Sequence, residues 1–131
     1  MTPITCGLVL APRRLVAVVL APGGAPRRAI RAALTDDARY GLVEYLAAAG
    51  AEIVATESLG RGDPVSRRAL DAGLLVWMAP DVLVAAIARA AALTDPTRVA
   101  AMVGRLPRIP LLRAQLRRLV TTAAPRQVPL L

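Results

Sequence analysis

The stretch Ile4-Thr-Cys-Gly-Leu-Val-Leu10, Ala11-Pro-Arg-Arg14, Leu15-Val-Ala-Val-Val-Leu20 decides the fold. Two short runs rich in Val and Leu, separated by four residues that include a proline and two arginines, read as a β-hairpin. A Pro/Gly loop, Ala21-Pro-Gly-Gly-Ala-Pro26, leads into a third run, Arg27 to Leu34, with Arg28, Ile30, Ala32 and Leu34 on one pleat. This predicts a third strand. Thr35 then offers an N-cap, Asp36 and Asp37 suit the positive end of a helix dipole, and Leu42, Val43 and Leu46 form an apolar stripe that stops at Gly50. The spacing predicts a helix over 36–49.

Downstream, strand and helix signals alternate. Ile53 to Ala55 is a brief strand that ends in Thr56-Glu57-Ser58 and the loop Leu59 to Asp63, and Pro64 fits the first turn of a helix to Ala72. After Gly73, Leu74 to Met78 reads as a strand buried on both faces. Pro80 and Asp81 open a very apolar helix to Leu93, Thr94 caps another to about Gly104, and Pro110 starts a basic helix to about Thr122. Three strands in a meander followed by this alternation predict an α/β domain: a mixed five-stranded sheet flanked by helices over 1–104, with a basic C-terminal helix and tail over 105–131. That order is the one used by the ribonuclease H-like fold.

Composition narrows the chemistry. The 131 residues include one Cys and no His, Asn, Lys or Phe, so neither a zinc site, a Ser-His-Asp or Cys-His nucleophile nor an imidazole acid/base can be assembled. A chain of this length buries roughly two thirds of its unfolded surface and needs no disulfide or structural metal. Cys6, unpaired on a core strand, behaves as a small hydrophobe. Arg13 and Arg14 interrupt the apolar N-terminal run, and no basic segment precedes it, unlike a secretory signal. Val82 to Leu93 is too short to span a bilayer and carries Arg89. The expectation is a cytoplasmic protein that spans no membrane.

All 17 basic residues are Arg, against 9 acids, for a net charge of +8. Part of that count reads as the codon bias of a GC-rich genome, yet residues 96–131 hold seven arginines and no acid. This asymmetry predicts an anionic partner, DNA or RNA, met by Arg105, Arg108, Arg113, Arg117 and Arg118. Trp77 and two tyrosines, Tyr40 and Tyr45, are the only aromatics, which leaves little for base stacking. The ordinary alternative is a solvated Arg face on a helix.

Over residues 4 to about 104 the motifs resemble the N-terminal RuvC-like domain of the DEDD insertion-sequence transposases, recombinases that work with a bridge RNA. The first strand of that family reads roughly Gly-Ile-Asp-Val, and the matching residues are Gly7-Leu8-Val9-Leu10. Its fourth strand ends in a Glu before a Gly-containing loop, as do Val54-Ala55-Thr56-Glu57-Ser58-Leu59-Gly60. A helix, a "leucine, small, valine" strand and a corner follow, matched by Arg67 to Ala72, Leu74 to Met78 and Ala79-Pro80. The last motif, Thr-Asp-x-x-Asp-Ala at a helix start, corresponds to Thr94-Asp95-Pro96-Thr97-Arg98-Val99. Order and separation, more than any single motif, carry the likeness.

The resemblance implies four carboxylates holding two divalent ions that activate water and stabilise the leaving oxygen. Glu57 and Asp95 stand at two of those positions, whereas Val9 replaces the first-strand Asp and Arg98 replaces the final helical Asp. A guanidinium there repels Mg²⁺ and can pair with Glu57 or Asp95. The implied protein is a nuclease fold with a degenerate site, without catalytic residues, metal or cofactor. Each acid also has a plain reading: Glu57 pairs with a nearby Arg, and Asp95 complements a helix dipole. Gly60-Arg61-Gly62 makes either a phosphate cradle or simply a turn.

Three functions follow in order: an inactive transposase-like domain that binds nucleic acid non-specifically through its Arg-rich end; a structural or regulatory homodimer joined through the apolar helix from Asp81 to Leu93; and a nuclease using displaced acids such as Asp63, Asp71 or Asp81. The homodimer is expected because that helix is apolar nearly all round, unless the C-terminal helix covers it through Leu112, Leu116 and Leu119.

Overall fold

The computed structural model describes residues 3–57 and 64–119. Three strands, β1 (Thr5–Ala11), β2 (Arg14–Leu20) and β3 (Pro26–Ala33), form the meander, followed by α1 (Asp36–Ala48), β4 (Ile53–Glu57), α2 (Pro64–Asp71) and β5 (Leu75–Ala79). Then come α3 (Asp81–Ala90), α4 (Pro96–Arg105), a 3₁₀ turn at Leu106–Arg108, α5 (Pro110–Arg113) and β6 (Arg117–Leu119). The sheet order is β3-β2-β1-β4-β5-β6. As the sequence predicts, β1, β2 and β3 are antiparallel neighbours, while β4 and β5 run parallel to β1.

Pleat alternation divides the core between the two faces of the sheet. On one face Cys6, Leu8, Leu15 and Val54 pack with Leu42, Val43 and Leu46 of α1 and with Val65 and Ala69 of α2. On the other, Val9, Val16, Val18, Leu20 and Ala55 pack with Val84 of α3 and with Ala100 and Val103 of α4. Helix α1 starts as predicted, with Thr35 Oγ1 accepting the Ala38 N–H at 3.2 Å. Arg68 of α2 lies over the Tyr40 ring of α1, 3.9 Å from its centroid, which joins the two helices by a cation–π contact.

Helix α4 crosses β1 and β2 so closely that Gly7 has no room for a side chain. A Cβ there would run into the carbonyl oxygen of Ala100, while one on Gly104 would lie 2.8 Å from the Gly7 nitrogen. The two glycines let helix and strand meet backbone to backbone.

The C-terminal segment differs from the expectation. In place of a helix from Pro110 to about Thr122 there is one turn to Arg113 and then a sixth strand, antiparallel to β5, with Val76 opposite Leu119. A helix would set Leu112, Leu116 and Leu119 on one stripe. Here Leu112 and Leu116 join the α4-side core and Leu119 packs against the α1-side core, an arrangement that a strand at the sheet edge allows and a helical stripe does not. The pairing also satisfies backbone groups along the outer edge of β5. Residues 120–131, including Arg126, lie outside the described residues, as do Gly60, Arg61, Gly62 and Asp63. Among the described residues no helix is long and apolar enough to cross a membrane.

Candidate functional site

The C-terminal ends of the parallel strands β1, β4 and β5 share one edge of the sheet, where the sequence places the degenerate acid cluster. Val9 is 3% exposed, and its register partner on β2 is Val16. Both belong to the core beneath α4, so this position offers a hydrocarbon wall.

Glu57 closes β4 on the same face as Ala55. Its Oε1 accepts the backbone N–H of Leu10 at 2.8 Å. Partial burial pushes the Glu57 carboxyl above the ordinary value, the Leu10 N–H pulls it back, and the charge of Asp81 at the start of α3 raises it further. The strand-end Glu is therefore anchored by backbone, and among the described residues it does not make the expected pairing with an arginine. The sole ion pair among the described residues joins Arg39 to Asp36 on α1, at 3.4 Å. Arg98 is exposed and pairs with neither Glu57 nor Asp95.

Asp95 is the N-cap of α4, a role the sequence assigns to Thr94. Its Oδ1 accepts the Thr97 N–H at 3.0 Å. It looks onto a cleft of about 340 Å³ bounded by the β1–β2 turn, β3 and the start of α4, into which Arg13, Arg14 and Arg31 also face. Neither Glu57 nor Val9 lines this cleft. Among the described residues no three Asp, Glu, Cys or His side chains form a group able to hold a metal ion. Cys6 is buried, and burial pushes its thiol up to about 12, which leaves it unreactive at neutral pH.

The five C-terminal arginines fall at different places. Arg105 Nε donates to the Gly24 carbonyl at 3.0 Å. Arg108 spreads its guanidinium over Thr5 Oγ1 and the carbonyls of Pro3, Ala21 and Pro22, at 2.9–3.2 Å. Burial and the neighbouring Arg105 charge both lower its proton affinity. These two hold the β2–β3 loop and the approach to β1, at the opposite edge of the sheet from Glu57. Arg113, Arg117 and Arg118 are exposed, and Arg117 borders a second cleft with Met78, Pro80 and Gln115.

Nothing in the sequence marks Arg13, Arg14 and Arg31 as a group. Arg13 and Arg14 read as the punctuation of a turn, and the convergence with Arg31 depends on β3 pairing with β2, with Val16 opposite Arg31. The Leu10 N–H was equally invisible, because a backbone donor leaves no mark in residue type.

No family model matches the sequence, and no curated protein is similar to it. Among solved structures, T. thermophilus RuvC in complex with Holliday junction substrate is similar in fold, with a TM-score of 0.65 at 14% identity over 89% of this chain and 99% of that one. At that identity the likeness speaks to architecture alone, and it agrees with the sheet order and crossovers above. The chain has a RuvC-like, ribonuclease H-like fold.

Proposed function

We propose that the chain is a catalytically inactive RuvC-like domain that binds the backbone of DNA or RNA without sequence preference. The observation that carries the inactive reading is Val9: the strand position beside the Glu57 anchor is a side chain 3% exposed and packed against Val16, with no oxygen for a divalent ion. The binding reading is supported by the net charge of +8 and by a fold shared with a protein whose structure holds a Holliday junction. Arg105, Arg113, Arg117 and Arg118 contribute phosphate contacts, with Arg108 adding charge while its donors hold the scaffold. The order and spacing of the motifs support kinship with the bridge-RNA transposase domains, and the arginines that interrupt the apolar N-terminal run support a cytoplasmic setting.

The test is anisotropy of labelled random-sequence DNA and RNA with the full chain across a salt series, alongside a nicking assay in Mg²⁺ and Mn²⁺. Affinity that falls steeply with salt, with no nicking, is expected. Nicking that depends on Mg²⁺ and is lost in Glu57→Ala would overturn the inactive reading and favour a nuclease using Glu57 with Asp81.

A second reading, a structural or regulatory homodimer, is favoured by α3. Val82 is 80% exposed, and Ala85, Ala86 and Ala90 open to solvent beside it. Sedimentation at micromolar concentration, with Val82→Glu as the disrupting variant, tests it: a dimer that Val82→Glu dissociates supports the reading, and a 13.7 kDa monomer counts against it.

A further inference from the structure

We propose that the cleft between the β1–β2 turn, β3 and the start of α4 is a phosphodiester-binding site, with Arg13, Arg14 and Arg31 as its ligands. The inference rests on the nucleic-acid reading above and identifies a contact point that lies outside the C-terminal arginines.

Two elements that are distant in sequence, the β1–β2 hairpin and β3, bring the guanidinium groups together. The two-residue turn Pro12-Arg13 connects strands whose last pair is Ala11 with Arg14. Alternation along β2 puts Arg14 on the face of Val16, and β3 sets Arg31 directly opposite Val16. All three arginines line one concavity of about 340 Å³, within the usual span of small-ligand sites, which starts at roughly 300 Å³.

Their charge is scarcely answered from within the chain. Arg13 and Arg14 make no hydrogen bond or ion pair among the described residues, and Arg31 makes a single long contact to Thr97 Oγ1 at 3.4 Å. The one carboxylate in the cleft, Asp95, already caps the Thr97 N–H. Three guanidinium groups facing a single occupied carboxylate leave the concavity positive, and the amino end of α4 adds to the same sign. Guanidinium forks match the tetrahedral oxygens of a phosphate ester, and an extended anion can run across the turn from one fork to the next. There is no aromatic lining to stack a base, so the site selects backbone rather than sequence.

The experiment uses the full chain and two probes: labelled random-sequence DNA by anisotropy, and inorganic phosphate by calorimetry at constant ionic strength. The variants are Arg14→Gln with Arg31→Gln, the same pair changed to Lys, and Arg67→Gln with Arg89→Gln as a distant exposed control. If the cleft holds backbone phosphates, the Gln pair weakens DNA binding about tenfold or more near 0.1 M salt and flattens the log-log salt slope by about 2. The Lys pair retains most of the slope, and the distant control changes neither. Thermal melts identical to the parent's exclude misfolding, as expected for exposed side chains. If the parent binds DNA and the Gln pair binds equally tightly with the same slope, the cleft assignment falls while the nucleic-acid reading stands. If the Gln pair loses inorganic phosphate but keeps DNA, the site serves a free phosphate and the backbone assignment is overturned. A parent that binds neither DNA nor RNA at low salt overturns both readings.

Discussion

The backbone N–H of Leu10 donates to Glu57 Oε1 at 2.8 Å, tying the end of β1 to the end of β4 just past their last register pair, Leu8 with Thr56. The carboxylate thus extends the sheet by one more rung, which helps an acid at a strand end persist half-buried where no described residue forms an ion pair with it.

Glu57 should make the protein more stable in mild acid. Burial and Asp81 raise its pKa above 4.5, so the folded state holds this proton more tightly than the unfolded chain does. Stability from this group is complete below the ordinary value and is lost as pH climbs through the raised one. Glu57→Gln keeps an acceptor for Leu10 and cannot ionise. Its melting temperature should exceed the parent's by about 1–2 °C at pH 7, after discounting for solvent screening, and the gap should close in acid. Calorimetric melts across that range check it, and a variant that melts below the parent at pH 7 would overturn it.

Gly7→Ala should be among the most damaging single changes. The added methyl collides with the Ala100 carbonyl, so α4 must lift from β1 and the core beneath it must open, at a cost of about 3 kcal/mol or more. Gly104→Ala meets the Gly7 nitrogen at 2.8 Å and the flexible Leu20 side chain at 3.0 Å, and should cost less. Urea unfolding of the two variants measures the difference.

Arg108→Ala should act on stability first. It removes the donors to Thr5, Pro3, Ala21 and Pro22, with a loss of about 2 kcal/mol. Arg108→Lys should restore little, since one ammonium cannot span four acceptors around a planar fork. For the same reason, deleting the chain from residue 105 would remove this clamp together with β6, so point substitutions at Arg113, Arg117 and Arg118 are the informative way to probe the basic end. Equal stability of Arg108→Ala and the parent in urea would refute the clamp.

Restoring the acids should restore a metal site. Val9→Asp buries a carboxylate at a position 3% exposed, and alone should cost about 3 kcal/mol. Combined with Arg98→Asp, it should give Mn²⁺ binding detectable by calorimetry, which neither change gives singly. No heat from the double variant would refute the alignment of Val9 and Arg98 with metal ligands.

The legibility of the sequence varied with the range of the forces involved. The hairpin, the α1 cap at Thr35 and the parallel strands could be read because alternation and capping are local. The α5–β6 segment could not, because Leu112, Leu116 and Leu119 fit a helical stripe, and what outweighs that stripe is the open edge of β5, formed some forty residues earlier. The N-cap is Asp95 and not Thr94, because Pro96 suits the first helical position and the Asp95 carboxylate then reaches the Thr97 N–H. At the site, Glu57 was visible as an acid at a strand end, but its partner was a backbone group. The arginine cleft was hidden altogether, because Arg13 and Arg31 become neighbours only through the pairing of β2 with β3.

The position of β3 at the outside of the sheet has a consequence for self-association. An outer strand offers unpaired backbone to any other strand it meets, and β3 is one of the longest in the molecule, at eight residues. Its exposed guanidinium groups at Arg27, Arg28 and Arg31 act as gatekeepers: two copies aligning edge to edge would bring like charges together across the seam. Neutralising this strand, by substitution or by an excess of polyanion, would remove the repulsion that opposes edge-to-edge pairing of β3, so resistance to that mode of association depends on the same positive charge that would attract a phosphate backbone.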